Sequence, residues 1–265
     1  MKLGRGWALQ IAVACCLAAC AQRAPSVLEQ KSVAGATGEG PRVVLAPMNL
    51  SVVLPQDLED AVPIVENALI LELQRRGARV AVIYAPDALA LWQKSMLEVA
   101  PPHTRAEDLR NVAEYFAAAL ARNEVFDALI MPSLALREAR VSGRSARWDG
   151  VQRRLGVRTS DVTAAPADAP VFGGGEGVVA SSEWSGKFSG LSLHLLSLMP
   201  GRRQPQERWG GLDLIHDAVS PNGRGTRPSE AEKRLRRELL SDPDNVEEGV
   251  DLALDPIWRS ISRAR

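Results

Sequence analysis

Cysteine is scarce in this 265-residue chain: Cys15, Cys16 and Cys20 are the only three, and all fall within the first twenty positions. Residues 21–265 can therefore form neither a disulfide among themselves nor a cysteine-based metal centre. Histidine is equally thin, with His103, His194 and His216. No two of them have the His-Glu-x-x-His spacing, so no metal site is expected. The Gly-x-Ser-x-Gly elbow, the Gly-Lys-Ser/Thr phosphate loop and the Gly-x-Gly-x-x-Gly fingerprint are all missing. Their absence removes the commonest motif-based routes to a hydrolase or a nucleotide site, and no catalytic residue or cofactor is expected. One-sided charge is lacking too, because 32 basic residues balance 32 acidic ones. Without a basic field, nucleic acid is not an expected partner. No internal repeat at a period of 20–50 residues is visible.

What is present begins at the N-terminus. Lys2 and Arg5 form a short basic region, Trp7 to Leu17 form an apolar stretch broken only by Gln10, and small residues lead into Cys20. Eleven largely apolar residues are too few to cross a bilayer, so this layout predicts a secretory signal peptide. The alternative is an uncleaved signal anchor with free thiols. The ending Leu17-Ala18-Ala19-Cys20 resembles the lipobox of bacterial lipoproteins. That resemblance implies diacylglycerol on Cys20, cleavage before it, and attachment of the mature chain to a membrane. Removing residues 1–19 with Lys2 and Arg5 leaves 30 basic and 32 acidic residues, a net charge of −2.

Residues 20–40 carry Gln, Ser, Glu, Lys, Gly and Pro without a sustained apolar period. They read as a flexible tether with a mean reach of about 25 Å. Residues 41–265, with 46% hydrophobic residues in the chain as a whole, then form one α/β domain. The run Arg42 to Ala46 predicts a strand buried on both faces. Pro63 to Arg76 predicts a helix with Ile64, Ala68 and Leu71 on its apolar face beside Val65 and Leu69. Arg79 to Tyr84 predicts a second strand, with Val43 and Val80 in neighbouring strands of a βαβ-like unit. Helices are expected over Asp87 to Val99 and over Thr104 to Arg122, the latter started by a Thr104/Glu107 capping box. From Asp127 the period shortens. Ala128 to Val141 reads as a long strand bent near Pro132, Gly143 to Ser145 as a turn, and Arg147 to Val157 as the antiparallel return. A mobile insertion is expected at about 159–182, then strands over Glu183 to Met199 and Glu207 to His216. A capping box at Ser229/Glu232 predicts one C-terminal helix, and Pro243 starts a second that Pro256 should kink or split.

Few of these residues invite chemistry. His216-Asp217 with Ser185 or Ser189 could be imagined as a triad, but adjacent strand residues face opposite ways. The cluster Gly173 to Gly177 has the flexibility of a phosphate cradle without its spacing, and reads as loop. Asp242, Asp244, Glu247 and Glu248 surround a helix start, where the macrodipole favours acids, and lack the offsets of a calcium loop. Trp148, Trp184 and Trp209 stand out, each on or beside an expected strand and each followed closely by glycine. They either anchor the sheet or form an aromatic docking patch for a partner.

The order lipobox, tether, β-α-β-α-β, antiparallel strands, C-terminal helices resembles the periplasmic α/β lipoprotein fold. Members include the curli-secretion-channel lipoprotein, the lipoprotein activators of penicillin-binding proteins and the N-terminal domain of the Tol translocation protein. Val43 to Ala46, the helix ending at Gly77, Arg79 to Tyr84, Ala128 to Met131 and Trp209-Gly210-Gly211 carry the resemblance. It implies a single mixed β-sheet with helices packed on it, and a non-enzymatic module that binds other envelope proteins. Ala21 in place of aspartate, by similarity to Gram-negative lipoproteins, implies the outer membrane facing the periplasm. A subunit of an oligomeric outer-membrane secretion channel is the alternative, and a hydrolase the next. Thr159 to Ser182 lacks the roughly 9–11-residue alternating strands a membrane-crossing hairpin needs.

Overall fold

The computed structural model describes residues 28–30, 39–99, 106–142, 144–155, 157–159, 185–202, 204–220, 232–236 and 238–264. Its centre is a mixed eight-stranded sheet. Strand β2 (Arg42–Leu45) lies parallel to β3 (Arg79–Ile83) and to β4 (Ala128–Ser142), with Val43 directly opposite Val80 as the sequence predicts. Along its other side β4 pairs antiparallel with β8 (Ser185–Leu198) through fourteen residue pairs, and β8 pairs with β9 (Gln206–Leu214). A second, three-stranded sheet joins β7 (Val157–Thr159), β10 (His216–Ser220) and β11 (Glu232–Leu235).

Period-two alternation gives the main sheet two apolar faces, and each is covered by helices. Val43, Leu45, Ile130, Leu134, Leu193 and Leu195 face α1 (Ala61–Arg75) and α4 (Pro243–Ser262). Val44, Leu129, Met131 and Leu198 face α2 (Ala85–Val99) and α3 (Ala106–Ala121), where Trp92 meets Phe116 edge-on at 6.0 Å. The main sheet is the mixed sheet with packed helices that the sequence predicts, and the three-stranded sheet adds to it.

Several local expectations are overturned. In α1 the buried stripe is Ala61, Val65, Leu69 and Leu73, while Ile64 and Leu71 remain 43% and 58% exposed beside the start of α4. Residues 20–40 are not tether throughout: β1 (Leu28–Gln30) pairs antiparallel with β3, Leu28 opposite Ile83. Arg147 to Val157 is not one strand. Asp149 and Gly150 take φ of 37° and 86° and turn the chain between β5 (Ser145–Trp148) and β6 (Val151–Arg154). Asp-Gly with two positive φ angles matches the right-handed twist of a two-residue hairpin.

The strand ending at His216 breaks one residue earlier. Ile215 donates its N–H to Ser189 and accepts from Arg236 N–H, and His216 opens β10 in the small sheet. Glu232 to Leu235 is strand β11 instead of helix, because pairing with β10 outweighs local propensity; Ser229 lies outside the described residues. Helix α4 runs unbroken through Pro256. Proline there leaves the Leu252 carbonyl without its helical donor, and Leu252 is 39% exposed, where water can reach it. Thr104 and most of 159–182 also lie outside the described residues.

Candidate functional site: the Trp209 patch

The site is assembled along β9, which packs against α4 and is tied to the start of α3 through Glu207 and Arg110. Gly210 and Gly211 let β9 be covered closely on both faces: a Cβ on Gly210 would stand 1.9 Å from the Gly249 carbonyl oxygen in α4, and one on Gly211 2.3 Å from Val151. The β5–β6 hairpin folds back over this point. Gly211 N–H donates to the Asp149 carbonyl at 3.1 Å, and Arg153, 8% exposed, donates to the Leu212 carbonyl at 3.1 Å and to Glu248 at 2.5 Å. The β8–β9 register shifts between Leu191 and Ser192, and the Leu191 carbonyl takes the Trp148 Nε1–H at 3.4 Å. Such an irregularity redirects backbone groups away from the ladder.

Trp148 is therefore a core anchor. It is 6% exposed, packed with Phe188, Val151 and Leu214 in a small third cluster, and covers Gly190 and Gly211. It does not belong to an exposed docking patch. Trp184 and Cys20 lie outside the described residues.

Trp209 is different. Half-buried on β9, it faces His194 of β8 in register, and the two rings stack with centroids 4.2 Å apart at 26°. The Arg137 guanidinium sits 4.5 Å from the Trp209 ring centroid, a cation–π contact. Arg137 also donates to Asp149 Oδ2 at 3.2 Å, which accepts from Ser192 Oγ at 2.7 Å. On the other side Glu207 accepts from Arg110 of α3 at 2.7 Å and stands 3.8 Å from His194 Nε2. The result is a continuous run of charge and aromatic surface: Arg110, Glu207, His194, Trp209, Arg137, Asp149.

Burial pushes the His194 pKa below its ordinary value, Glu207 pulls it back up, and Arg137 adds to the depression. The imidazole is thus neutral near pH 7. Its Nε2 is buried without a hydrogen-bond partner among the described residues, so Ser133, opposite it in the β4–β8 register, does not pair with it as a nucleophile would. Arg137, His194 and Glu207 escape notice in the sequence. The one usable signal is strand alternation: Leu193 and Leu195 point to one core, which turns His194 to the opposite face.

A second concavity, about 660 Å³, lies between α1 and the start of α4 and is lined by Ile64, Ala68, Leu71, Val246 and Val250. Arg75 spans its rim to Glu247 at 3.1 Å. Its wall includes Leu240, held at φ 58° by a hydrogen bond from its N–H to Asp213, whose carboxylate also accepts from Arg236 at 2.6 Å. Among the described residues no group of three or more His, Cys, Asp or Glu is placed to hold a metal, and no helix is long and apolar enough to cross a membrane.

The fold defines a mixed α/β sheet protein covered by helices on both faces, with an aromatic and charged patch at one sheet edge. No protein-family model matches the chain, and no curated protein matches it significantly.

Proposed function

We propose that this chain is a lipid-anchored cell-envelope protein, held to the membrane through acyl chains on Cys20, that acts as a non-enzymatic interaction or assembly module for other envelope proteins. The observation that carries it is Leu17-Ala18-Ala19-Cys20 behind a basic and then apolar leader. Acyl chains stabilise membrane binding by about 0.8 kcal/mol per buried methylene, and one chain alone holds only marginally. The several chains a lipobox implies hold the domain stably. An outer-membrane location facing the periplasm goes with this reading. The Trp209 patch supports the binding role, since a half-exposed aromatic flanked by arginines is the composition of interface hot spots. Exposed Glu138 and Arg140 on the projecting end of β4 count against a lipid-facing hairpin and hence against a channel subunit.

The test is metabolic labelling with a palmitate analogue and fractionation of cells expressing the full chain or Cys20→Ser. Label and membrane recovery in the parent, with the variant released or left as unprocessed precursor, is the expected outcome. A cleaved, membrane-bound Cys20→Ser protein would overturn the anchor. For the binding role, a photoreactive residue at position 209 should crosslink to a defined envelope protein, whereas one at Val125, 82% exposed in the turn before β4, should not.

A further inference from the structure

Strand β1 shows where the N-terminal segment joins the domain. It runs antiparallel to β3 with Leu28 opposite Ile83, so its N-terminal end lies at Ile83, one residue before Tyr84 and two before the start of α2. Only eight Cα–Cα steps separate Cys20 from Leu28. At about 3.3–3.6 Å each, full extension would span at most about 29 Å. The sheet order places β9 five strands from β1, about 24 Å further across at about 4.8 Å per strand. The β1 edge is thus the part of the sheet where the N-terminal segment joins, and β9 is the strand farthest from it.

The surface beside that junction carries exposed aliphatic residues among its polar ones. Helix α2 buries Ala88, Trp92 and Ser95 toward the sheet and turns Leu89, 48% exposed, and Leu97, 87% exposed, outward. Tyr84, 57% exposed, precedes it at the end of β3. Asp87, Lys94 and Glu98 are the charged groups on the helix, and none is repeated into a field of one sign. Leu89 and Leu97 beside Asp87, Gln93, Lys94 and Glu98, with a tyrosine at the helix start, give an outer side of mixed apolar and polar groups, as an interfacial helix has.

Resting on the lipid-anchor reading above, we propose that the β1–β3 edge and the outer face of α2 lie on the bilayer, with Tyr84, Leu89 and Leu97 in the interfacial layer. The β9 edge then lies farthest across the sheet from the contact, while Arg137, His194 and Trp209 stay on the same sheet face as α2. The contact is apolar, so it holds at high salt.

The experiment uses the mature acylated protein. Its Cys20 thiol carries lipid, which leaves an introduced cysteine as the sole free thiol. Leu97→Cys and, as control on β9, exposed Arg208→Cys are labelled with an environment-sensitive fluorophore and reconstituted into 3:1 phosphatidylethanolamine–phosphatidylglycerol vesicles. Doxyl-lipid quenching should be at least twofold stronger at position 97 than at 208, and unchanged between 0.1 and 0.5 M NaCl. Equal quenching in protein that floats with the vesicles overturns the orientation and leaves the anchor standing. Shielding of position 97 from both doxyl lipid and aqueous iodide overturns it in favour of a protein neighbour or a second copy. Protein that carries no acyl mass and does not float overturns both.

Discussion

His194 shows how a single side chain makes the patch sensitive to acid. Burial is the first cause of its lowered pKa, and Arg137 adds to it. An unfolded imidazole titrates near 6.5, so between that value and the lower folded one the unfolded chain holds more protons than the folded chain. Stability from this residue is present above about pH 6.5 and is lost as pH falls toward the folded pKa. Urea midpoints measured from pH 7.5 to 5 should therefore fall in the parent and fall less in His194→Gln; parallel curves would refute the assignment. Nothing in the local string Leu193-His194-Leu195 announces this. Two leucines mark the strand and its buried face, but the residues that set the imidazole's environment, Arg137 and Glu207, sit on other strands. Trp209 was visible because it sits on an expected strand and is followed directly by two glycines; its stacking partner and its cation required the register.

At the scale of elements, β9 is tightly packed, pressed between α4 and the β5–β6 hairpin. Gly210→Ala would drive a Cβ into the Gly249 carbonyl at 1.9 Å, with backbone on both sides of the clash. Forcing α4 off the strand should cost about 1–3 kcal/mol or more. Gly201, at φ 83° with open space around it, is the comparison: alanine there meets only backbone strain of roughly 1 kcal/mol. Equal losses in thermal melts of the two variants would mean the close approach carries no weight. Helices and buried strands were legible because apolar periodicity is local. The Asp149-Gly150 hairpin was legible in principle, since Asp-Gly is a turn pair, but the apolar pattern on either side concealed it. The exposed side of α1 could not be read, because Ile64 and Leu71 look like core until the position of α4 is known. Strand β11 was out of reach for the same reason: its helical pattern is overridden by a partner, β10, that only the fold supplies.

Across the whole molecule, two cores share one sheet. Val43 and Val44, or Ile130 and Leu129, are consecutive residues that serve opposite faces, so neither core can dissolve while the other keeps its strands. A layered domain of this kind should unfold as one unit. Phe116 lies fully buried and belongs to the α2–α3 core, not the α1–α4 core. Phe116→Ala should cost about 3–5 kcal/mol through the cavity it leaves. Far-ultraviolet circular dichroism and tryptophan fluorescence should still give one coincident urea midpoint, shifted together. Separate midpoints would show that the faces melt independently and that the shared strands do not couple them. The exception is β1, held by three residue pairs at the edge of β3, against the interior position of β2 between β3 and β4. Edge pairing this short opens at a small fraction of the global free energy. Amide exchange at Glu29 should accordingly outpace exchange at Val44 by several orders of magnitude in the soluble domain. Reconstitution on vesicles should slow it if the anchor holds that edge against the bilayer.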